Sequence, residues 1–247
     1  MELKNILTSF LRRRHFCGIM PRAALLDMDG TLYDSMGNHA EAWMRLSAEA
    51  GFNATREEFF LYEGCTGAYI IDLLTRRSFG RPATETEMTE LYRRKTQYFN
   101  EMPVVGPMPG AREMVDIFVR SGITPVVVTG SGQASLIDRL TRDFDGAFSP
   151  DLMVTAHNVI HGKPHPEPYI KGMQLARVSP SAAIAVDNAP LGVKSAAAAG
   201  VFTAGVVTGP IPGSALEEAG ATAVFSSMTD FAERLPELLL TMATTSV

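Results

Sequence analysis

Two aspartates stand two residues apart at the end of an apolar run, in Leu25-Leu26-Asp27-Met28-Asp29-Gly30-Thr31-Leu32. The run from Ala23 to Leu26 reads as a short buried strand, so both acids sit at its mouth, and Gly30 lets the chain turn sharply after them. Carboxylates this close repel each other and are costly to desolvate. They persist at such a place when something positive, most simply a divalent cation, lies between them. One carboxylate is then placed to act as a nucleophile.

Other residues able to do chemistry follow at the ends of later apolar runs. Val126-Val127-Val128 leads into Thr129-Gly130-Ser131-Gly132, a hydroxyl followed by glycines that expose backbone N–H groups, which suits a phosphate-sized anion. Gly162-Lys163-Pro164-His165-Pro166 locks a lysine into a proline-rich turn before a helix. The run beginning at Ala183 ends in Asp187-Asn188, two oxygen ligands ahead of a helix with Pro190 in its first turn. Each signal is weak alone, whereas their ordered arrival is strong.

In open parallel sheets the site forms outside the carboxyl ends of the strands, which sets the elements required. The expected strands are Ala23–Leu26, Thr124–Thr129, Leu152–Thr155, Ala183–Asp187, Val201–Val207 and Ala223–Phe225. Helices near 111–121, 133–142, 167–177, 189–199, 214–219 and 229–240 alternate with them, predicting a doubly wound α/β core. Between the first two strands the apolar spacing is helical. Helices are expected from His39 to Ala50, Arg56 to Tyr62, Ala68 to Arg77, and from a capping box at Thr84–Glu87 through Met102. Pro103, Gly106, Pro107, Pro109 and Gly110 then break the pattern. The expected organisation is a core from 21–36 and 106–247, a helical cap inserted at 37–105, and an extension over residues 1–20, frayed or helical.

Composition narrows the function. The chain has 247 residues, 46% hydrophobic and 20% charged, enough to bury a large core. A net charge of −5 argues against a nucleic-acid partner. No apolar run reaches the roughly 18–20 residues of a membrane span. Cys17 and Cys65 form neither a disulfide framework nor a metal-ligand spacing, which points to a reducing, cytoplasmic compartment. A monomer or weak oligomer is expected. His157, His161 and His165 do not have the spacing of a metal site and read as an exposed loop.

The ordered motifs resemble those of the haloacid dehalogenase superfamily of phosphotransferases. Asp27-Met28-Asp29-Gly30-Thr31-Leu32 is similar to its first motif, Thr129 to its second, Lys163 to its third and Asp187-Asn188 to its fourth, over about residues 22–230. The nearest resemblance is to the β-phosphoglucomutase-like branch and its pyrophosphatase-like members, which share Val-Thr-Gly-Ser-Gly-Gln and Asn-Ala-Pro-Leu-Gly. The resemblance implies a Rossmann-like core with a helical cap, Mg²⁺ as cofactor, and a small phosphorylated metabolite or inorganic pyrophosphate as substrate. Asp27 would be the nucleophile and Asp29 the acid/base, with its backbone carbonyl on Mg²⁺. Asn188 would bind the metal directly and Asp187 at second hand, while Thr129 and Lys163 hold the transferring group and Gly130 and Ser131 line its seat. Some positions depart from the family. Asn188 replaces an acid, Gly67 stands where the mutase carries a phosphate-gripping Arg, and Glu63, beside Gly64 in the cap loop, replaces a basic residue. His39 matches a hinge histidine that orients the acid/base, and Lys95 retains a cap-side anion contact. A phosphosugar mutase is the alternative reading.

Overall fold

The protein is described from a computed structural model, over residues 3–132 and 134–247. In chain order the elements are α1 (Leu3–Arg14), β1 (Ala23–Leu26), α2 (Met36–Ala50), α3 (Arg56–Leu61), α4 (Gly67–Phe79), α5 (Glu85–Asn100) and α6 (Ala111–Arg120). They continue with β2 (Thr124–Val128), α7 (Ala134–Asp143), β3 (Met153–Val154), α8 (Glu167–Ala176), β4 (Ala183–Asp187) and α9 (Pro190–Ala198). The last are β5 (Phe202–Val206), α10 (Gly213–Glu218), β6 (Ala223–Phe225) and α11 (Met228–Thr244). Residue 133, the expected start of α7, lies outside the described residues.

The strands form one six-stranded parallel sheet in the order β3-β2-β1-β4-β5-β6. The expected α/β class is therefore observed, in the doubly wound order whose direction reverses between β1 and β4. Strand periodicity builds both faces of the core. Ala24 and Leu26 of β1 join Ile184, Val186 and Phe202 under α1, α6 and α11. Ala23 and Leu25 join Val126, Val128 and Ala185 under Tyr169 and Met173 of α8. Helices α2 to α5, between β1 and β2, have a separate apolar centre around Trp43, Leu46, Phe59, Ile71 and Leu74.

Local chemistry sets several boundaries. Both halves of the Thr84 capping box form, with Glu87 N–H donating to Thr84 Oγ1 at 3.2 Å and Thr84 N–H to Glu87 Oε2 at 2.8 Å. A second box, Thr55 with Glu58, opens α3. Helix α5 ends at Asn100 instead of Met102, because a residue before proline avoids the helical region. The strand expected over Leu152–Thr155 shrinks to Met153–Val154. Pro150 begins a tight 3₁₀ turn before it, and Thr155 caps another after it. The N-terminal segment, expected as a frayed or helical extension, is helical: α1 buries Leu3, Leu7, Phe10 and Leu11 in the main core, with Phe10 edge-on to Phe202 at 5.4 Å. Among the described residues no helix is long and apolar enough to cross a membrane.

Candidate active site

Strand register brings the motifs together. Leu26 pairs with Val186 of β4 on one side and Val127 of β2 on the other. The next residues, Asp27 and Asp187, therefore emerge side by side at the switch point, with Thr129 on the flanking strand. Asp27 N–H continues the ladder to Val186 O at 3.0 Å, and Thr129 N–H to Val154 O at 2.9 Å. Gly30, at φ +80°, then turns the chain back, and Tyr33 O accepts its N–H at 2.8 Å.

Lys163 reaches into this mouth from the loop before α8. Its ammonium donates to Asp27 Oδ1 at 2.6 Å and to Asp187 Oδ2 at 2.7 Å, with no side-chain surface exposed. Asp187 also accepts from Tyr169 Oη at 2.5 Å and from Ala189 N–H at 2.9 Å. Asp187 is thus an anchor for Lys163, with its donors already in place. Asn188 turns the other way. Its Oδ1 accepts from Thr31 Oγ1 at 3.2 Å, and its amide donates to Glu63 Oε1 at 2.8 Å. That bond joins the cap to the core, and an amide at 188 makes it whether or not Glu63 is ionised.

Asp29 faces the cap. Its Oδ1 accepts from Ser35 Oγ at 2.6 Å and lies 2.9 Å from His39 Nε2. Lys95 Nζ is 2.6 Å from His39 Nδ1. As an ammonium Lys95 donates there, so the ring then carries its proton on Nε2 and gives it to Asp29. Lys95 is 2% exposed, among the rings of Trp43, Tyr92 and Phe99 at 5.2–5.9 Å. Its anion contact is therefore Asp29, reached through His39.

Glycines close the seam between cap and core. A Cβ on Gly130 would overlap the Gly64 carbonyl, and one on Gly64 would meet Lys163 Cδ at 2.9 Å. A Cβ on Gly67 would overlap the Tyr92 ring, so that ring fills the space where a side chain at 67 would otherwise lie. Tyr92 Oη in turn accepts from Gly132 N–H at 3.1 Å, while Thr129 Oγ1 accepts from Ser131 N–H at 2.9 Å. A cavity of about 50 Å³ remains, lined by Asp27, Asp29, His39, Glu63, Gly64, Tyr92, Lys95, Thr129, Gly130 and Ser131. Lys163, Asp187 and Asn188 stand behind this wall. Tyr92 is the residue that sequence reasoning missed. Its signal was the helical spacing to Lys95, three residues later on the same face of α5.

The charges do not balance around Asp27. Asp27, Asp187 and Glu63 are 3%, 0% and 6% exposed, and Lys163 is the ammonium that reaches Asp27 and Asp187. Burial, then the negative charge of Asp187 working against the attraction of Lys163, lifts the Asp27 carboxyl to about 7. Burial and the charge of Asp27 push Glu63 well above the ordinary carboxylate range. Burial would raise Asp29 also, but His39, Ser35 and Lys95 together hold it below its usual value. Burial brings Lys95 down to about 7.

This imbalance is a fit test for a hard cation, and the residues pass it. Asp27 Oδ2 is buried with no hydrogen-bond partner among the described residues. Among the described residues no three His, Cys, Asp or Glu side chains make a ready cage. Mg²⁺ does not demand one, since it keeps waters and takes substrate oxygens. A prediction follows for the metal-free protein. Asp27 takes up its proton near 7 in the fold against 3.8 as its ordinary value, so the folded form binds protons that the unfolded chain has released. Stability is then full below pH ~4 and falls as pH rises through ~7. Melting temperatures in EDTA should drop between pH ~4 and ~7, before the lowered Lys95 acts in the opposite sense above pH ~7, and Mg²⁺ should reduce the drop; no drop below pH ~7 in EDTA would contradict the charge assignment.

Comparison with known proteins agrees with this geometry. The model of the haloacid dehalogenase-like hydrolases matches residues 21–200. Validoxylamine A 7'-phosphate phosphatase of Streptomyces hygroscopicus subsp. limoneus is 29% identical, over 76% of this chain and 87% of that one. Hexitol phosphatase A of Escherichia coli is 30% identical, over 71% of this chain and 78% of its own. A solved structure from Bacteroides vulgatus, provisionally named a beta-phosphoglucomutase, superposes with a TM-score of 0.94 at 42% identity, covering 97% of this chain and 98% of that one. The match over most of the chain, with acids, hydroxyl, lysine and amide meeting at one sheet edge, makes this protein a member of the haloacid dehalogenase-like hydrolase family.

Proposed function

We propose that the chain is a Mg²⁺-dependent phosphohydrolase that works through an aspartyl-phosphate on Asp27, with inorganic pyrophosphate or a similarly small phosphorylated metabolite as substrate. The observation carrying this reading is the small cavity, partly open to solvent, that joins Asp27, Asp29 and the Thr129–Ser131 turn beside Tyr92 and Glu63. At about 50 Å³ it is far below the roughly 300–1,000 Å³ of pockets for larger ligands.

Asp27 attacks phosphorus, a P–O bond forms to its carboxylate, and the bond to the leaving oxygen breaks. Lys163 and Thr129 hold the transferring oxygens, because phosphoryl transfer depends mainly on positioning and electrostatics. Water then attacks the phosphoryl group and gives its proton to Asp29, which releases phosphate and frees Asp27. Asp27, Asn188 and the backbone carbonyl of Asp29 would hold Mg²⁺, and the ion would offset charge on the transferring group. The water-mediated metal contact expected of Asp187 does not fit, because both its oxygens already accept from Lys163, Tyr169 and Ala189 N–H. His39 and Lys95 keep Asp29 anionic, the form that accepts a proton. A phosphate leaving group at neutral pH needs no proton, whereas a sugar alkoxide does, and this supports an anhydride substrate.

The relatives' names support phosphorylated carbohydrates instead, and the Bacteroides vulgatus neighbour favours a mutase as second reading. A substrate panel of pyrophosphate, hexitol and sugar phosphates and p-nitrophenyl phosphate separates them. Pyrophosphate should lead, and Tyr92→Ala should raise kcat/KM for sugar phosphates by ~10-fold or more relative to pyrophosphate. A wild type that prefers a sugar phosphate, with a ratio unmoved by Tyr92→Ala, would remove the size argument. Conversion of β-glucose 1-phosphate to glucose 6-phosphate without phosphate release would establish the mutase.

A further inference from the structure

Asp187 is held by more donors than an anchor for one lysine needs, and one of them has no place in the mechanism above. Tyr169, on the first turns of α8, is fully buried, and its hydroxyl donates to the same oxygen, Asp187 Oδ2, that Lys163 uses. The face of its ring lies 5.2 Å from the Lys163 ammonium. On the other side, a Cβ on Gly192 would overlap the Asp187 carboxylate, so α9 packs directly against it.

We propose that Tyr169 is a positioning residue: its neutral hydrogen bond keeps Asp187 satisfied, so that Lys163 can loosen from Asp187 and follow negative charge onto the transferring phosphoryl group. The inference rests on the roles proposed above for Asp27 and Lys163. A buried carboxylate that loses its ammonium partner is left unpaired, which is strongly unfavourable. With Lys163 and the Ala189 N–H as its sole donors, Asp187 would hold the ammonium tightly, and movement toward the phosphoryl oxygens would be opposed. The Tyr169 hydroxyl supplies a donor without adding a second positive charge, so it does not compete for the phosphoryl group. The ring offers the ammonium a cation–π surface where it now stands, 5.2 Å from the ring centre. Close packing at Gly192 hinders water from reaching the carboxylate on the α9 side.

The test compares Tyr169→Phe, Asp187→Asn, the double variant and Lys163→Ala, using pyrophosphate and p-nitrophenyl phosphate with Mg²⁺. Single-turnover phosphate release, KM and melting temperature are read for each. Tyr169→Phe keeps the ring and should lower the single-turnover rate by roughly 10- to 100-fold with little change in KM. The double variant should be no slower than Asp187→Asn, because Tyr169 acts through Asp187. A Tyr169→Phe rate within about twofold of wild type, or losses that multiply independently in the double variant, would overturn the proposal. If Tyr169→Phe does not fold, fluorotyrosines at 169 replace it. The rate should then rise with the acidity of the phenol, and a rate indifferent to it would overturn the proposal. An unimpaired Lys163→Ala would instead overturn the reading of Lys163 on which this inference rests.

Discussion

Asp27→Asn should abolish phosphate release, with a loss on the order of 10⁴-fold or more, because no other group is in place to form the covalent intermediate. Nothing in the fold should suffer. The amide oxygen can still accept from Lys163, which also keeps Asp187 at 2.7 Å. The substitution removes a buried charge that lies among Glu63 and Asp187. In EDTA at pH 8 the variant should therefore melt no lower than wild type. This pairing of lost turnover with retained or improved stability separates a nucleophile from a structural acid, whose removal would lower both together. Turnover within tenfold of wild type would show that Asp27 is not the attacking group.

Gly130→Ala should be the most damaging change outside the charged residues. Gly130 is not among the glycines with positive φ, so alanine suits its backbone and the domain should fold normally. Its Cβ, however, would overlap the Gly64 carbonyl and lie 3.0 Å from the Cys65 carbonyl. Backbone atoms cannot swing aside as a side-chain tip can, so the loop carrying Glu63, Gly64 and Cys65 must draw back. The Glu63–Asn188 bond would lengthen with it. A displacement of this order costs about 10²-fold in kcat/KM, with melting temperature nearly unchanged. Activity within twofold of wild type would mean that closure to this depth is not needed for reaction.

The residues of the candidate site were legible in the sequence because their evidence is local. Asp27, Thr129 and Asp187 end or directly follow apolar runs, Lys163 sits in a proline-rich turn ahead of a helix, and a parallel sheet delivers its strand ends to one side whatever the details of packing. The cap was less legible. Lys95, on a helix, has the same sequence signature whether it points to water or into an aromatic box, and its burial follows from Trp43, Tyr92 and Phe99 converging from different helices. The hydroxyls of Tyr92 and Tyr169 carry no separate signal in the sequence, because periodicity reports only the ring. Helix α1 carried its signal in plain view. Leu3, Leu7, Phe10 and Leu11 have the spacing of one buried face, but the Arg12–Arg14 end draws attention away from it.

Glu63 and Asn188 gain meaning as a pair. The resemblance leads one to expect an acid at 188 and a basic residue at 63, and the two side chains present instead meet in one hydrogen bond of 2.8 Å across the cap–core seam. The amide supplies a donor to the Glu63 carboxyl across that seam without adding a further negative charge beside Asp27.

The central claim is that phosphate passes through Asp27. The most direct measurement is an acid-quenched single turnover of ³²P-labelled pyrophosphate with Mg²⁺, followed by proteolysis and mass spectrometry of the labelled peptide. Label should rise and fall within the turnover, stable to acid and released by hydroxylamine, on the peptide containing Asp27. Rapid phosphate release with that peptide unlabelled at every quench time would contradict it, and water would then be attacking the substrate directly.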